Sequence, residues 1–222
     1  MSFFDINNVI FQAFGYPVSY IEFVGTIFGA ISIWLSAKAN IWSFPIGLIY
    51  VVMFFFVSFQ VQLYPDMFLQ VFFFITNAIG WWRWANPKPG EEDRKNELRI
   101  SYVSRQQLWM WLGLGFVGTI LFGLSASRLH EWLPSVFSLP SAFPYMDSFI
   151  TVMSIIATFL MIEKKVENWI VWILVDVVAT YLYFSRELIL FGLEFAAFCF
   201  LAAFGLWNWI REYRSYKLNN AA

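Results

Sequence analysis

Seven apolar runs, bounded by stretches that hold most of the charge, dominate this chain. They lie at about 18 to 37, 41 to 59, 66 to 84, 108 to 126, 146 to 162, 168 to 184 and 188 to 209. A helix needs about 20 such residues to cross the hydrocarbon core of a bilayer, where every backbone N–H and C=O must be satisfied within the helix. The runs therefore point to an all-α integral membrane protein with seven transmembrane helices. Composition agrees, since 60% of the 222 residues are hydrophobic and only 13% are charged, about half the ~25% of a soluble domain. Too few polar residues remain to coat a water-soluble globule, so one transmembrane domain over 1–222 is expected. Residues 2–15 are apolar but interrupted by Asp5, Asn7, Asn8 and Gly15, and read as an interfacial segment rather than an eighth span. The N-terminus has neither a basic n-region nor a small-residue cleavage site, so the apolar segments are expected to stay in the mature protein.

Charge placement orients the spans. Seven crossings put the N-terminus and the segments after the second, fourth and sixth spans on one side, which receives Arg128 and Arg186. The other side receives Lys38, Arg83, Lys88, Arg94, Lys95, Arg99, Arg105, Lys164, Lys165, Arg211, Arg214 and Lys217, a split of 12 to 2. Lys and Arg accumulate in short cytoplasmic loops. The N-terminus is thus expected outside and the C-terminus in the cytoplasm, with Pro87 to Arg99 a solvated cytoplasmic loop.

Several functions are excluded by what the chain lacks. A net charge of -1 and no aromatic-interleaved basic patch rule out nucleic acid as a partner. Cys199 is the only cysteine and His130 the only histidine, and His130 falls between spans. No Cys-based or His-bearing metal centre is supported, and no cofactor is expected. The last span holds no Lys for a retinal Schiff base, and no Gly-rich phosphate loop is present, so a transporter of this sequence would work down a gradient or with a coupled ion.

The two ends of the chain match at an offset of 125. Glu22 meets Asp147, Thr26 meets Thr151, Gly80 meets Gly205, Trp82 meets Trp207 and Trp84 meets Trp209. Repeat one (18–84) thus recurs as repeat two (146–210), with a linker helix (108–126) between them. One intervening crossing makes the repeats parallel, in a 3+1+3 arrangement that transporters use with a substrate site near mid-membrane. Trp84 and Trp209 read as interfacial belt anchors. Gly25 and Gly29, continued by Ser32 and Ser36, read as a close-packing face.

Polar residues inside the spans fall in stripes. Asn168, Trp172, Asp176, Thr180 and Tyr183 share a face of the sixth span, Asp66, Gln70, Asn77, Trp81 and Trp84 a face of the third, and Asp147, Thr151, Ser154 and Thr158 a face of the fifth. Asp176 and Glu194 are the deepest acids. Such groups cost about 2.5 to 3.5 kcal/mol each on insertion scales for Asp and so face a cavity or a partner. Two readings stay open: interhelical glue, or a cavity whose aromatic and carboxylate walls suit a flat cationic ring bearing hydroxyls.

The motifs themselves resemble the nicotinamide riboside transporter (PnuC) family. They are I-E-x-V-G-T-I-x-G at Ile21 to Gly29, Q-x-Q-L-Y at Gln60 to Tyr64, L-Q-V-F-F-F at Leu69 to Phe74, N-x-x-G-W-x-x-W at Asn77 to Trp84, F-P-x-x-D-S at Phe143 to Ser148 and V-E-N-W-x-x-W at Val166 to Trp172. The resemblance spans 20–84 and 143–212. It implies a bacterial inner-membrane transporter of SWEET-like fold, a homotrimer in the bilayer, taking up nicotinamide riboside, a vitamin B3 form that feeds NAD biosynthesis, by facilitated diffusion with cytoplasmic phosphorylation as the trap. Site residues carried over are Gln70, Asn77, Asn168, Trp169, Trp172 and Glu194, to which the stripes add Asp176, Tyr183 and Tyr50. Tyr50 and Asp176, related at offset 126, stand where relatives carry Asn, as does Phe204. An added carboxylate suits cationic nicotinamide riboside or thiamine over neutral riboflavin. The competing class is a membrane-embedded lipid-modifying enzyme with Asp176 and Glu194 as acid and base; a passive channel leaves the repeat unexplained.

The charge split makes a topology prediction. Reporters fused after Ala222 should be active only in their cytoplasmic form, and a periplasmic signal there would contradict seven crossings from an outside N-terminus.

Overall fold

The computed structural model describes residues 3–62, 64–132 and 142–219, without the side chains of 64–66 and 217–219. Asp66 on the third-span stripe and Lys217 in the charge count lie outside the described side chains. A β-hairpin, β1 (Val9–Ala13) and β2 (Tyr16–Ser19), precedes seven helices: α1 (Tyr20–Ala37), α2 (Ser43–Gln60), α3 (Tyr64–Ala85), α4 (Arg105–Trp132), α5 (Pro144–Ile162), α6 (Glu167–Ser185) and α7 (Ile189–Asn219). Among the described residues, six of these helices are long and apolar enough to cross a membrane. The exception is α3, whose 22 residues still reach about 33 Å at 1.5 Å each but which carries Gln70, Thr76, Asn77 and Arg83.

The segment read as interfacial folds as the hairpin. Its two-residue turn, Phe14 and Gly15, has φ of 52° and 82°, the left-handed pair that matches strand twist. Gln60 at the end of α2 holds the chain before it: its Nε2 donates to Phe4 O (2.6 Å) and its Oε1 accepts from Ile6 N–H (3.1 Å). The hairpin leads directly into α1 through a capping box. Ser19 N–H donates to Glu22 Oε2 (2.9 Å), Glu22 N–H to Ser19 Oγ (3.4 Å), and Tyr16 O–H to Glu22 Oε1 (2.6 Å). Burial and the Glu22 carboxylate together push the Tyr16 phenol well above its ordinary range. A second capping box, Ser104 with Gln107, starts α4 before its apolar run, which is why the helix exceeds the expected 108–126.

Four helices end alike. At the ends of α1 and α5, Asn40 N–H donates to Leu35 O and Lys165 N–H to Leu160 O, while Ala39 N–H donates to Ser36 O and Lys164 N–H to Met161 O. These are Schellman closures with a left-handed residue, Ala39 (φ 50°) or Lys164 (φ 51°). The ends of α2 and α6 put Gln62 and Glu187 in the same conformation, both at φ 61°. In each case the partners are 125 residues apart.

By contacts the chain forms two compact units. The first is Met1–Ser101 with Met161–Lys164 and Phe204–Ala222; the second is Tyr102–Leu160 with Lys165–Ala203. In the first, α1 and α2 pack through the expected small face: a Cβ on Gly25 would lie 2.9 Å from Phe54, and one on Gly29 2.9 Å from Tyr50. In the second, Val152, Ile156 and Leu160 of α5 form a core with Trp111 and Val171.

Trp84 and Trp209 are not belt anchors. Both are fully buried. Trp84 Nε1–H donates to Met161 O (3.1 Å), Trp209 Nε1–H donates to Ser36 O (2.9 Å), and their ring centroids lie 5.9 Å apart. The indole N–H supplies a second proton to a helix-end carbonyl already bonded by the Schellman turn, which a headgroup position would not allow. The 87–99 segment is not simply solvated either, since Leu98 and Ile100 are buried and Leu98 N–H donates to Trp84 O (2.9 Å).

Phe44 packs edge-on to Trp84 at 4.8 Å and directly over Gly80. Gly80→Ala should therefore lower the melting midpoint in detergent, with overpacking costing about 1 to 3 kcal/mol. Gly113→Ala, facing open space, should leave it unchanged or raise it by helix propensity. Equal midpoints would show that Phe44 moves freely.

Candidate functional site

The expected site residues divide between the units, with Tyr50, Gln70 and Asn77 in the first and Asn168, Trp169, Trp172, Asp176, Tyr183 and Glu194 in the second. In the first unit, the Asn77 amide donates to Phe73 O of its own helix (2.8 Å), leaving its Oδ1 for other work. That oxygen sits beside Gly47 of α2, where an added Cβ would lie 2.9 Å from both Asn77 Oδ1 and Ser32 Oγ. Ser32 Oγ–H in turn donates to Ser43 O (2.8 Å). Ser32, Gly47 and Asn77 thus form a polar point where three helices meet. Gly47 escaped the sequence reading because one glycine in an apolar run gives no periodic signal.

Gln70 lies one helical face along α3 from Asn77. Its side chain is buried and its Oε1 has no hydrogen-bond partner among the described residues. Tyr50 has a structural contact, its ring against Gly29 and tilted on Phe54 at 4.6 Å.

In the second unit, α6 carries its polar face as the spacing predicts. Asn168 is fully buried and its Nδ2 donates to Lys165 O (2.5 Å), while its Oδ1 has no partner among the described residues. Trp169 is buried, and Trp172 half-buried. Asp176 is 5% exposed with no ion pair among the described residues. One turn on, Thr180 Oγ1 is also buried without a partner among the described residues. Tyr183 stacks on Phe191 (5.6 Å) and Phe195 (5.1 Å) of α7, and half-buried Glu194 stands next to the second of these rings.

Three of the four residues of the fifth-span stripe already have partners. Asp147 forms a 2.7 Å ion pair with Arg186, and Thr151 and Thr158 return their hydroxyl protons to carbonyls one turn back in α5. Glu22 and Asp147, matched above at an offset of 125, both lie in the first turn of a helix, where a carboxylate is favoured by the helix dipole.

Each unit therefore carries a buried side-chain oxygen with no hydrogen-bond partner among the described residues, Gln70 Oε1 on α3 in the first and Asn168 Oδ1 on α6 in the second. Among the described residues no three His, Cys, Asp or Glu side chains gather as a metal would need. Residues 19–211 match the model of the nicotinamide mononucleotide transporter family. The chain belongs to this family. Within it, the chain is 32% identical to the nicotinamide riboside transporter PnuC of Escherichia coli (strain K12), over 96% of both chains. It is also 24% identical to the riboflavin/roseoflavin transporter RibM of Streptomyces davaonensis, over 92% of this chain and 91% of that one. A crystal structure of the vitamin B3 transporter PnuC shares the fold, with a TM-score of 0.65 at 23% identity over 88% of this chain and 83% of that one. This is a multi-pass membrane transporter family, which sets aside the lipid-modifying enzyme considered from Asp176 and Glu194.

The bare Gln70 oxygen separates glue from ligand site. Since Oε1 bonds nothing described in the protein, Gln70→Met should hold or raise the melting midpoint, whereas substrate affinity should fall by about 1 to 3 kcal/mol, the cost of stranding a ligand's polar group. A clear loss of stability with unchanged affinity would return Gln70 to the glue reading.

Proposed function

We propose that this protein takes up nicotinamide riboside across the bacterial inner membrane by facilitated diffusion. The carrying observation is the 32% identity, over 96% of both chains, to the relative named for that substrate. The open acceptors on α3 and α6 support it, because nicotinamide riboside brings ribose hydroxyls and a carboxamide to donate and a flat cationic ring for Trp169, Trp172 and Asp176 to receive. In this reading Gln70, Asn77, Asn168, Trp169, Trp172, Asp176 and Glu194 contact substrate, and Tyr50 and Tyr183 frame the site through their ring contacts. The working form is a homotrimer with an outside N-terminus.

The architecture we infer is the SWEET-like 3+1+3, with parallel repeats 18–84 and 146–210 about the linker helix 108–126. Its support is the recurrence at 125 residues of four helix ends, of their left-handed residues and of the Trp84 and Trp209 hydrogen bonds. The left-handed residues after α2 and α6, Gln62 and Glu187, recur at 125; on that register Asp176 would pair with Val51 and Tyr50 with Val175, one position from the pairing of Tyr50 with Asp176 at 126. On either register the first repeat has no carboxylate at the place of Asp176.

The likeness to a riboflavin/roseoflavin transporter favours a second reading, a neutral flavin substrate, and Asp176 distinguishes the two. Proteoliposomes should accumulate labelled nicotinamide riboside, and Asp176→Asn should weaken its binding by about 1.5 to 3 kcal/mol, as for hydrogen bonds to charged groups, with little effect on an uncharged analogue. Uptake of riboflavin but not nicotinamide riboside would select the second reading, and equal losses for charged and neutral analogues would make Asp176 structural.

A further inference from the structure

Lys164, in the turn between α5 and α6, is fully buried. Its Nζ lies 4.2 Å from the centre of the Trp84 ring, 3.8 Å from Glu97 Oε2 and 4.0 Å from Asp93 Oδ2, and neither Nζ nor Glu97 Oε2 has a hydrogen bond among the described residues. Glu212 of α7 and Lys95 act on it from further away. The turn itself does not require this ammonium. Ala39 holds the matching left-handed place at the end of α1, at φ 50° against 51°, and is equally buried there. Lysine thus adds a desolvated charge at one helix end where alanine serves at the other.

Everything the ammonium faces, Trp84 and the α7 acid apart, belongs to the 86–101 segment. That segment runs from α3 across the α5–α6 turn: Arg83 pairs with Glu91 (2.7 Å) and Glu163 (3.1 Å), Leu98 N–H bonds Trp84 O, and Ser101 N–H bonds Lys164 O (3.1 Å). Its tip, Arg94 to Asn96, is exposed, and Asn96 closes it at φ 58°. Burial lowers the Lys164 pKa against the pull of Asp93 and Glu97, and raises that of Glu97, as expected for charges held out of water at distances too long for hydrogen bonds. A buried ion cluster of that kind adds little stability over an apolar replacement, and its attested use is to specify or switch a conformation.

We propose that Lys164 is a releasable lock that fastens residues 86–101 as a strap over the ends of α3 and α5, and that the strap lets go during the transport cycle. The second clause rests on the transport reading above; the first does not. The lock is single, because the Ala39 end has no ammonium.

The test uses the full chain in detergent and in proteoliposomes, comparing wild type, Lys164→Met and, as a control for charge alone, the exposed Lys88→Met. Lys164→Met should keep its melting midpoint but be cut by trypsin at Arg94 and Lys95 about tenfold faster or more, since cleavage follows the open population. Lys88→Met should be cut at those two sites at the wild-type rate. In proteoliposomes Lys164→Met should raise the nicotinamide riboside uptake rate severalfold with unchanged affinity. If Lys164→Met does not fold, the double variant Asp93→Asn/Glu97→Gln removes the lock from the strap side and should give the same result. Cleavage at the wild-type rate would overturn the lock. Faster cleavage with unchanged or slower uptake would overturn its role in the cycle. A wild type that takes up no nicotinamide riboside would count against the transport reading, and the cleavage rates would still decide the lock.

Discussion

The two indole hydrogen bonds, Trp84 to Met161 O and Trp209 to Ser36 O, are the constraint around which the first unit is arranged. A helix end inside or near a bilayer leaves carbonyls without donors, and leaving one unmet there costs several kcal/mol. Here a Schellman turn and an indole share each carbonyl, so the end of one helix is fixed by a ring carried on another. Phe44 closes over Trp84 and Gly80, and the 86–101 segment docks on the Trp84 carbonyl. Trp84 therefore joins α2, α3, the end of α5 and the strap.

With those two carbonyls bonded, the buried side-chain atoms that have no hydrogen-bond partner among the described residues include the Gln70 and Asn168 oxygens and the Thr180 hydroxyl, and Asp176 is buried beside them on α6 without an ion pair among those residues. The contrast with α5 is informative. There Asp147 meets Arg186, and Thr151 and Thr158 bond their own helix, so three residues of a polar stripe of similar spacing already have protein partners. Spacing alone finds a face; only the partner inventory tells whether the face still has something to bind.

Much of the fold was legible because bilayer thickness sets run length. All seven helices fall on the expected runs, and the match at 125 anticipated the recurring helix ends. What was missed has physical causes. Trp84 looks like an anchor because a tryptophan at a helix end is the same letter whether its N–H meets a headgroup or a carbonyl. The hairpin at 9–19 is too short and too aromatic for a clear strand alternation, and its signal was the left-handed Phe14–Gly15 turn. The strap looked solvated because its charges are dense; Leu98 and Ile100 were the sign that it packs. For the candidate site, the α6 face and Gln70 were readable from spacing, whereas Gly47 became visible only once Asn77 and Ser32 met over it.

The left-handed helix ends carry a consequence for engineering. Ala39, Gln62, Lys164 and Glu187 all adopt a backbone state that side chains with a Cβ disfavour by about 1 to 2 kcal/mol, and none of the four is glycine. Each is a place where glycine relieves torsional strain without moving a helix, an unexploited margin of thermostability for crystallisation or display. At Lys164 that relief would also remove the ammonium, so Ala39, Gln62 and Glu187 are the three positions where gains in robustness leave the charged strap intact.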